Sequence, residues 1–171
     1  MKKSVLFLIL LFVLSLTASA QKFALIDMEY ILKNIPAYEQ GTEQLNKATQ
    51  QWQGEVETLG KEAQTMYKTY QSQIKTLSEA QKTTKEEEII AKEKAVAELK
   101  RNYFGPEGEL AKQRDALMKP IQDEIYNAVK AIAEAQGYAA IVDRASASSI
   151  IFASPRIDIS NEVLAKLGYS D

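Results

Sequence analysis

The chain has 171 residues, with 21 Lys and Arg against 23 Asp and Glu, no cysteine and no histidine. Disulfides, thiol chemistry, His-ligated metals and the Ser-His-Asp and Cys-His catalytic arrangements are thereby excluded. A net charge of −2 offers no basic field for nucleic acid or an anionic membrane surface.

Residues 1–20 read as a cleaved secretory leader. Lys2 and Lys3 precede an apolar run, Val5 to Leu16, and Ala18, Ser19 and Ala20 put small residues where a signal peptidase reads, with cleavage expected after Ala20. The apolar run is shorter than the ~20 residues a spanning helix needs. No cysteine follows it to take a lipid anchor. Cleavage leaves 151 residues, the size of one domain, with 19 basic against 23 acidic groups.

The next zone, residues 21–37, predicts a strand, "KFALID" (Lys22 to Asp27), and a short helix capped by Asp27. That helix is expected to stop before Pro36, because a residue preceding proline avoids helical geometry, and Pro36 suits the first turn of the next helix. Residues 38–136 predict an arm. Leu45, Ala48, Trp52, Val56, Leu59, Ala63, Met66, Tyr70, Ile74 and Leu77 are separated only by threes and fours, a narrow seam near the coiled-coil limit. A lone helix of this kind is marginal in water and needs a partner. The polar stretch 78–88 has no seam and is expected to carry the reversal. Beyond it Ile89, Val96, Leu99 and Tyr103 restart the seam, which continues through Leu110, Leu117, Ile121, Ile125, Ala128 and Ile132 to Gly137, a candidate C-terminal cap. The pattern predicts an antiparallel helical hairpin of ~60 Å, from ~40 residues at ~1.5 Å each. Residues 137–171 predict two strands, "YAAIVD" (Tyr138 to Asp143) and "SIIFA" (Ser149 to Ala153), and a last helix capped by Ser160 and ended by Gly168. The fold class is α+β and mostly α. Three short strands leave edges exposed in one chain, so association through the strands is expected.

The segment "NYFGPEGELAKQR" interrupts the returning helix where glycine costs ~1 and proline ~3 kcal/mol relative to alanine. A turn near residue 80 sets positions summing to ~160 opposite one another. Gly105 and Gly108 then lie level with Gly54 and Trp52, which predicts a hinge made of Gly54, Gly105, Pro106 and Gly108. No Gly-Lys-Ser/Thr follows, so a phosphate loop is not indicated. Pro120 predicts a kink in the same helix or the start of a new segment. Glu86, Glu87 and Glu88 have Lys82, Lys85, Lys92 and Lys94 within helical reach and read as a solvated face, not a metal site. Asp143-Arg144 reads as a strand-end cap. Met66, Tyr67, Tyr70, Ile74 and Phe104 place adaptable apolar and aromatic groups on a thin hairpin that cannot cover them all, and are candidate contacts for a bound chain. No catalytic constellation, cofactor motif or metal-ligand set is present.

"FALIDMEYILKNIPAYEQ", the long polar hairpin, "GYAAIVDRASASSIIFA" and "RIDISNEVLAKL" together resemble the Skp/OmpH family of periplasmic chaperones. "YFGPEGELAKQR" and "KPIQDEIYNAV" resemble its branch in Bacteroidetes-type bacteria. The resemblance implies a periplasmic homotrimer whose β-rich body carries three helical tentacles around a cavity. It implies an ATP-independent holdase for unfolded outer-membrane β-barrel proteins, with no cofactor. The chain departs from the family's strongly basic members, since Lys75 to Arg101 holds seven basic and six acidic residues. Lipopolysaccharide or lipid binding by cationic arm tips therefore does not carry over. The alternative is a structural envelope adaptor docking one fixed partner through its coiled-coil arm.

Overall fold

A computed structural model of the chain describes residues 22–147 and 149–169. The expected leader and its cleavage position lie outside the described residues. The elements run β1 (Lys22–Ile26), α1 (Met28–Lys33), α2 (Pro36–Gln73), α3 (Glu79–Phe104), α4 (Glu109–Gln136), β2 (Tyr138–Asp143), a 3₁₀ turn (Pro155–Ile157) and α5 (Ser160–Leu167). They divide into two units. One is the body, made among the described residues of 22–31 and of those from Ile125 to 169; the other is Leu32–Glu124. The body therefore includes the last turns of α4, which the sequence reading left in the arm.

In the body, β1 and β2 pair in parallel, from Phe23 opposite Ala140 to Ile26 opposite Asp143. A parallel pair needs a crossover, and here it is the entire chain between the two strands. Ala24, Leu25 and Ile26 are all buried, as befits a strand covered on both faces. Ile31, Ile125, Ala128, Ile132, Ile159, Val163 and Leu164 complete the buried set of this unit. Each fully buried aliphatic side chain of this set contributes ~2 kcal/mol to the body.

Two sequence expectations about the C-terminal segment are corrected. Ser149–Ala153 forms no strand in the single chain. The residue that bridges β1 on its second side is Asp158, paired with Leu25 beyond the 3₁₀ turn. A strand is rewarded by a ladder and a buried face, whereas Ile151 and Phe152 are 101% and 84% exposed. Ser160 does not cap α5 from outside; it is the first helical residue. Its hydroxyl donates to Asp158 Oδ1 at 2.6 Å and accepts the Asp27 N–H at 2.8 Å, which ties the exit of β1 to the start of α5.

Local signals set the helix ends. Asp27 Oδ1 accepts the Tyr30 N–H at 2.9 Å and so caps α1. Asp143 Oδ1 accepts the N–H of Met28 at 3.1 Å and of Ala145 at 3.0 Å, making the strand-end cap across the sheet. Pro36 opens α2. Gly137 and Gly168 end α4 and α5 with φ of 72° and 87°, the left-handed region where a side chain is strained.

In the second unit, α2 is unbroken for 38 residues, ~57 Å at 1.5 Å per residue. The reversal is tighter and earlier than expected: it lies between Gln73 and Ser78, and Ser78–Glu88 opens α3. The Ser78 hydroxyl accepts the Gln81 N–H while Gln81 Oε1 accepts the Ser78 N–H at 2.9 Å, a capping box that satisfies two orphan donors at once. α4 continues through Pro120 without starting a new segment.

The Asp27 carboxylate is held below the usual range, first by the Tyr30 N–H and, against the opposing effect of burial, by the Arg144 guanidinium. A carboxyl depressed on folding adds stability above its unfolded pKa of ~4, and loses it as pH falls through the folded value. Asp27→Asn should therefore destabilise the body at neutral pH and flatten the acid side of its unfolding profile. Denaturant titrations between pH 3 and 7, followed by circular dichroism, check this.

Candidate functional site

The second unit presents the candidate residues on two antiparallel helices. α2 packs along α3 far more extensively than along α4. Yet the α2–α3 seam buries only Ala63, Tyr70 and Ile89. Val96 and Leu99, read as seam positions, are half-buried, and α3 carries no continuous apolar stripe. Polar clasps hold the register instead. The Tyr70 hydroxyl donates to Glu86 Oε1, Lys92 pairs with Glu62 at 2.8 Å, and the Tyr103 hydroxyl donates to Glu55 Oε2 at 2.5 Å. The Glu86 bond, with some burial, pushes Tyr70 up to about 12, so its hydroxyl stays a donor at any physiological pH.

The five candidate contact residues divide. Tyr70 is buried in the seam and serves the hairpin itself. Tyr67 is half exposed, and Met66, Ile74 and Phe104 are half-buried. Two shallow grooves collect part of this set. One, of about 350 Å³, is formed by Gln53, Val56, Glu57, Lys100 and Phe104 and is lined mainly by apolar atoms. The other, of about 220 Å³, is formed by Thr65, Met66, Thr69, Tyr70, Gln73, Lys85, Glu88 and Ile89. Both grooves are lined mainly by apolar atoms, and the Lys85 and Glu88 at the second are closed on each other as an ion pair. Of the acidic run, Glu88 pairs with one of the expected lysines, Lys85 at 2.8 Å, and Glu86 accepts from Tyr70 across the seam; Lys82 and Lys92 pair instead with Glu79 and Glu62. Among the described residues no cluster of His, Cys, Asp and Glu can hold a metal, and no helix is long and apolar enough to cross a membrane.

The interruption between α3 and α4 is closely built. Pro106 has no N–H for the Asn102 carbonyl, so the helix cannot run through. Gly105 leaves helical backbone (φ −66°, ψ 167°) while its N–H still closes the last turn on the Arg101 carbonyl at 2.8 Å. The Gly108 N–H returns to the Gly105 carbonyl at 2.9 Å, and the Lys112 N–H to the Gly108 carbonyl starts α4. A Cβ on Gly105 would meet the Arg101 oxygen at 2.4 Å, and one on Gly108 the Tyr103 oxygen at 2.8 Å. Glycine is required at both positions. On the facing helix α2 runs unbroken through Gly54 and Gly60, and a Cβ at either would meet nothing within 4 Å. The break also preserves register. From the Glu55–Tyr103 pair to the contact of Gly41 with Leu117, both helices advance by 14 residues.

Sequence reasoning placed Trp52 at this level but missed its full setting. Trp52 stacks on Tyr103 with ring centroids 5.1 Å apart and planes 11° off parallel, and meets Phe104 edge-on at 6.5 Å. Glu55, one turn along α2, grips the Tyr103 hydroxyl, and its other oxygen accepts from Gln51 at 2.9 Å. The Tyr103 bond, then the Gln51 bond, hold the Glu55 carboxyl low. The signal was available in the approximate pairing sum, which sets Glu55 close to opposite Tyr103. In the body, Arg144 bridges Asp27 at 3.0 Å and Asp158 at 3.4 Å, a link with no local sequence signature.

Alanine at Gly54 or Gly60 is expected to stabilise the hairpin by up to about 1 kcal/mol each, through helix propensity alone. Gly105→Ala is expected to destabilise it, because the new methyl meets backbone. Thermal unfolding of the single variants separates the two cases.

The family described as outer membrane protein (OmpH-like) matches residues 22–167. Among solved structures, a Caulobacter crescentus protein assigned as an OmpH-like outer membrane chaperone superimposes with a TM-score of 0.67 at 15% identity, over 87% of this chain and 85% of that one. At that identity the likeness is one of fold. None of the curated proteins searched matches the chain. With a family match spanning nearly all described residues, the chain belongs to the OmpH-like outer membrane protein family.

Proposed function

We propose that the protein is an ATP-independent periplasmic holdase that binds unfolded outer-membrane β-barrel proteins and keeps them from aggregating in transit. The observation that carries this reading is the family match over residues 22–167. The hairpin supports it physically. A holdase binds an unfolded chain through many weak contacts rather than one pocket, and stabilises that state by mass action. Shallow grooves beside Met66 and Phe104, with Tyr67 and Ile90 exposed, offer contacts of that sort. No group in the hairpin is arranged for catalysis, and no cofactor enters the proposal.

The working form is a homotrimer. Phe23, Val142, Ile151 and Phe152 leave an apolar surface on the body that a single chain does not cover, and association is the usual remedy for such a patch. The leader read in residues 1–20 accounts for delivery to the periplasm. The break at Gly105, Pro106 and Gly108, opposite Gly54, is the hinge by which the hairpins adapt to clients of different size.

Diluting several unrelated urea-unfolded barrel proteins into buffer with the purified mature protein tests this. Suppressed light scattering without nucleotide is expected, together with a native mass of three chains. Saturable binding to one folded protein, with no effect on the unfolded barrels, overturns the reading in favour of a fixed adaptor. Tyr67→Ala is expected to weaken client binding by on the order of 1 kcal/mol, about fivefold in affinity, without loss of helical content. Titration of a fluorescent client checks it.

A further inference from the structure

The break is asymmetric, and the asymmetry lies in what borders it. On its α3 side, the last two helical residues before Gly105 are Tyr103 and Phe104, both engaged by Trp52. Their own rings meet edge-on at 6.2 Å, so the three form one closed cluster. Aromatic pairs in these geometries gain attraction beyond the area they bury. The Tyr103 hydroxyl bond to Glu55 then fixes the ring in its plane, and Gln51 fixes the carboxylate from the other side. Among the described residues no aromatic pair borders the α4 side. There Leu117 lies over Gly41, a leucine methyl against bare backbone. The packing of α2 is correspondingly dense along α3 and sparse along α4.

We propose that Trp52, Tyr103, Phe104 and Glu55 form a latch that clamps the end of α3 to α2, so that bending at Gly105–Gly108 is confined to the α4 side. The distal half of the hairpin, from the latch to the Ser78 turn, then moves as one stiff piece. Gly105 is the point of flexure because its backbone has already left the helix. Because the break preserves register, bending there needs no slippage of the Lys92–Glu62 or Tyr70–Glu86 clasps. The latch stands on the geometry of the hairpin alone; only its consequence for client size rests on the holdase reading.

The chain has no cysteine and a single tryptophan, so labels and fluorescence report from chosen places. Two double-cysteine variants of the mature protein are spin-labelled at exposed positions, Thr58 with Glu98 above the break and Asn46 with Gln113 below it, and diluted with unlabelled protein. Distances are measured without client. A narrow Thr58–Glu98 distribution and a broader Asn46–Gln113 distribution are expected. Trp52→Leu with Tyr103→Phe should broaden the upper distribution until it matches the lower. Glu55→Gln, a milder change that keeps helix propensity, should raise acrylamide quenching of Trp52 and broaden the upper pair part of the way. Two distributions of equal width in the unsubstituted protein overturn the proposal. So does an unchanged upper distribution in a Glu55→Gln protein of full helical content whose Trp52 quenching has risen. Either outcome leaves suppression of barrel aggregation, measured separately, untouched.

Discussion

Two helices lying side by side can bury only the stripes they turn toward each other, and here one of the two has almost no stripe to offer. α2 presents a seam at intervals of three and four; α3 buries Ile89 and little else. Apolar burial is non-directional, so a seam this thin would leave the helices free to slide. What fixes them is a series of directional bonds between helices of opposite run: Tyr70 to Glu86, Lys92 to Glu62, Tyr103 to Glu55. Each is modest in free energy when solvated. Their value is positional, because each can be made in one register only. The same economy leaves Tyr67 and Ile90 in solvent, and exposed apolar groups on a stably held frame are what a low-specificity binding surface requires.

The interruption of the returning helix follows from the same constraint. A two-helix element with a poor core tolerates a break only where something else secures the flanks. Trp52 stacks on Tyr103 and meets Phe104 beside the break, and the glycines allow Arg101, Asn102 and Tyr103 carbonyls to close over the turn. Broken helix and unbroken facing helix keep step, so the cost is local to four residues.

Much of this was legible in the sequence, for reasons that differ by position. Asp27, Pro36, Gly137 and Gly168 act through their own backbones, and the structure uses each as its type suggests. The α2 seam was readable because its period is a property of one helix. The start of α3 is carried by "SEAQ", a capping-box pattern, but the seamless polar residues that follow it look the same in a helix as in a reversal. Ser149–Ala153 has strand-favouring residues, but a strand is settled by its neighbour, and neither composition nor pattern names one. Arg144 meets Asp27 across most of the chain and Asp158 across the irregular segment after β2, whereas the Glu55–Tyr103 pair is recoverable only through the hairpin's pairing sum. Pairings of this kind come from the fold and leave no local trace.

The parallel pairing of β1 with β2 has a consequence in time. Ile26 sits opposite Asp143, so the first strand of the body cannot find its mate until the whole crossover between the two strands has been made. Contacts between sequence neighbours form early, and those that close long loops form late. The helices can coil and fold back on each other while β1 waits unpaired, and the sheet closes last. Any assembly that depends on the body thus waits for β2.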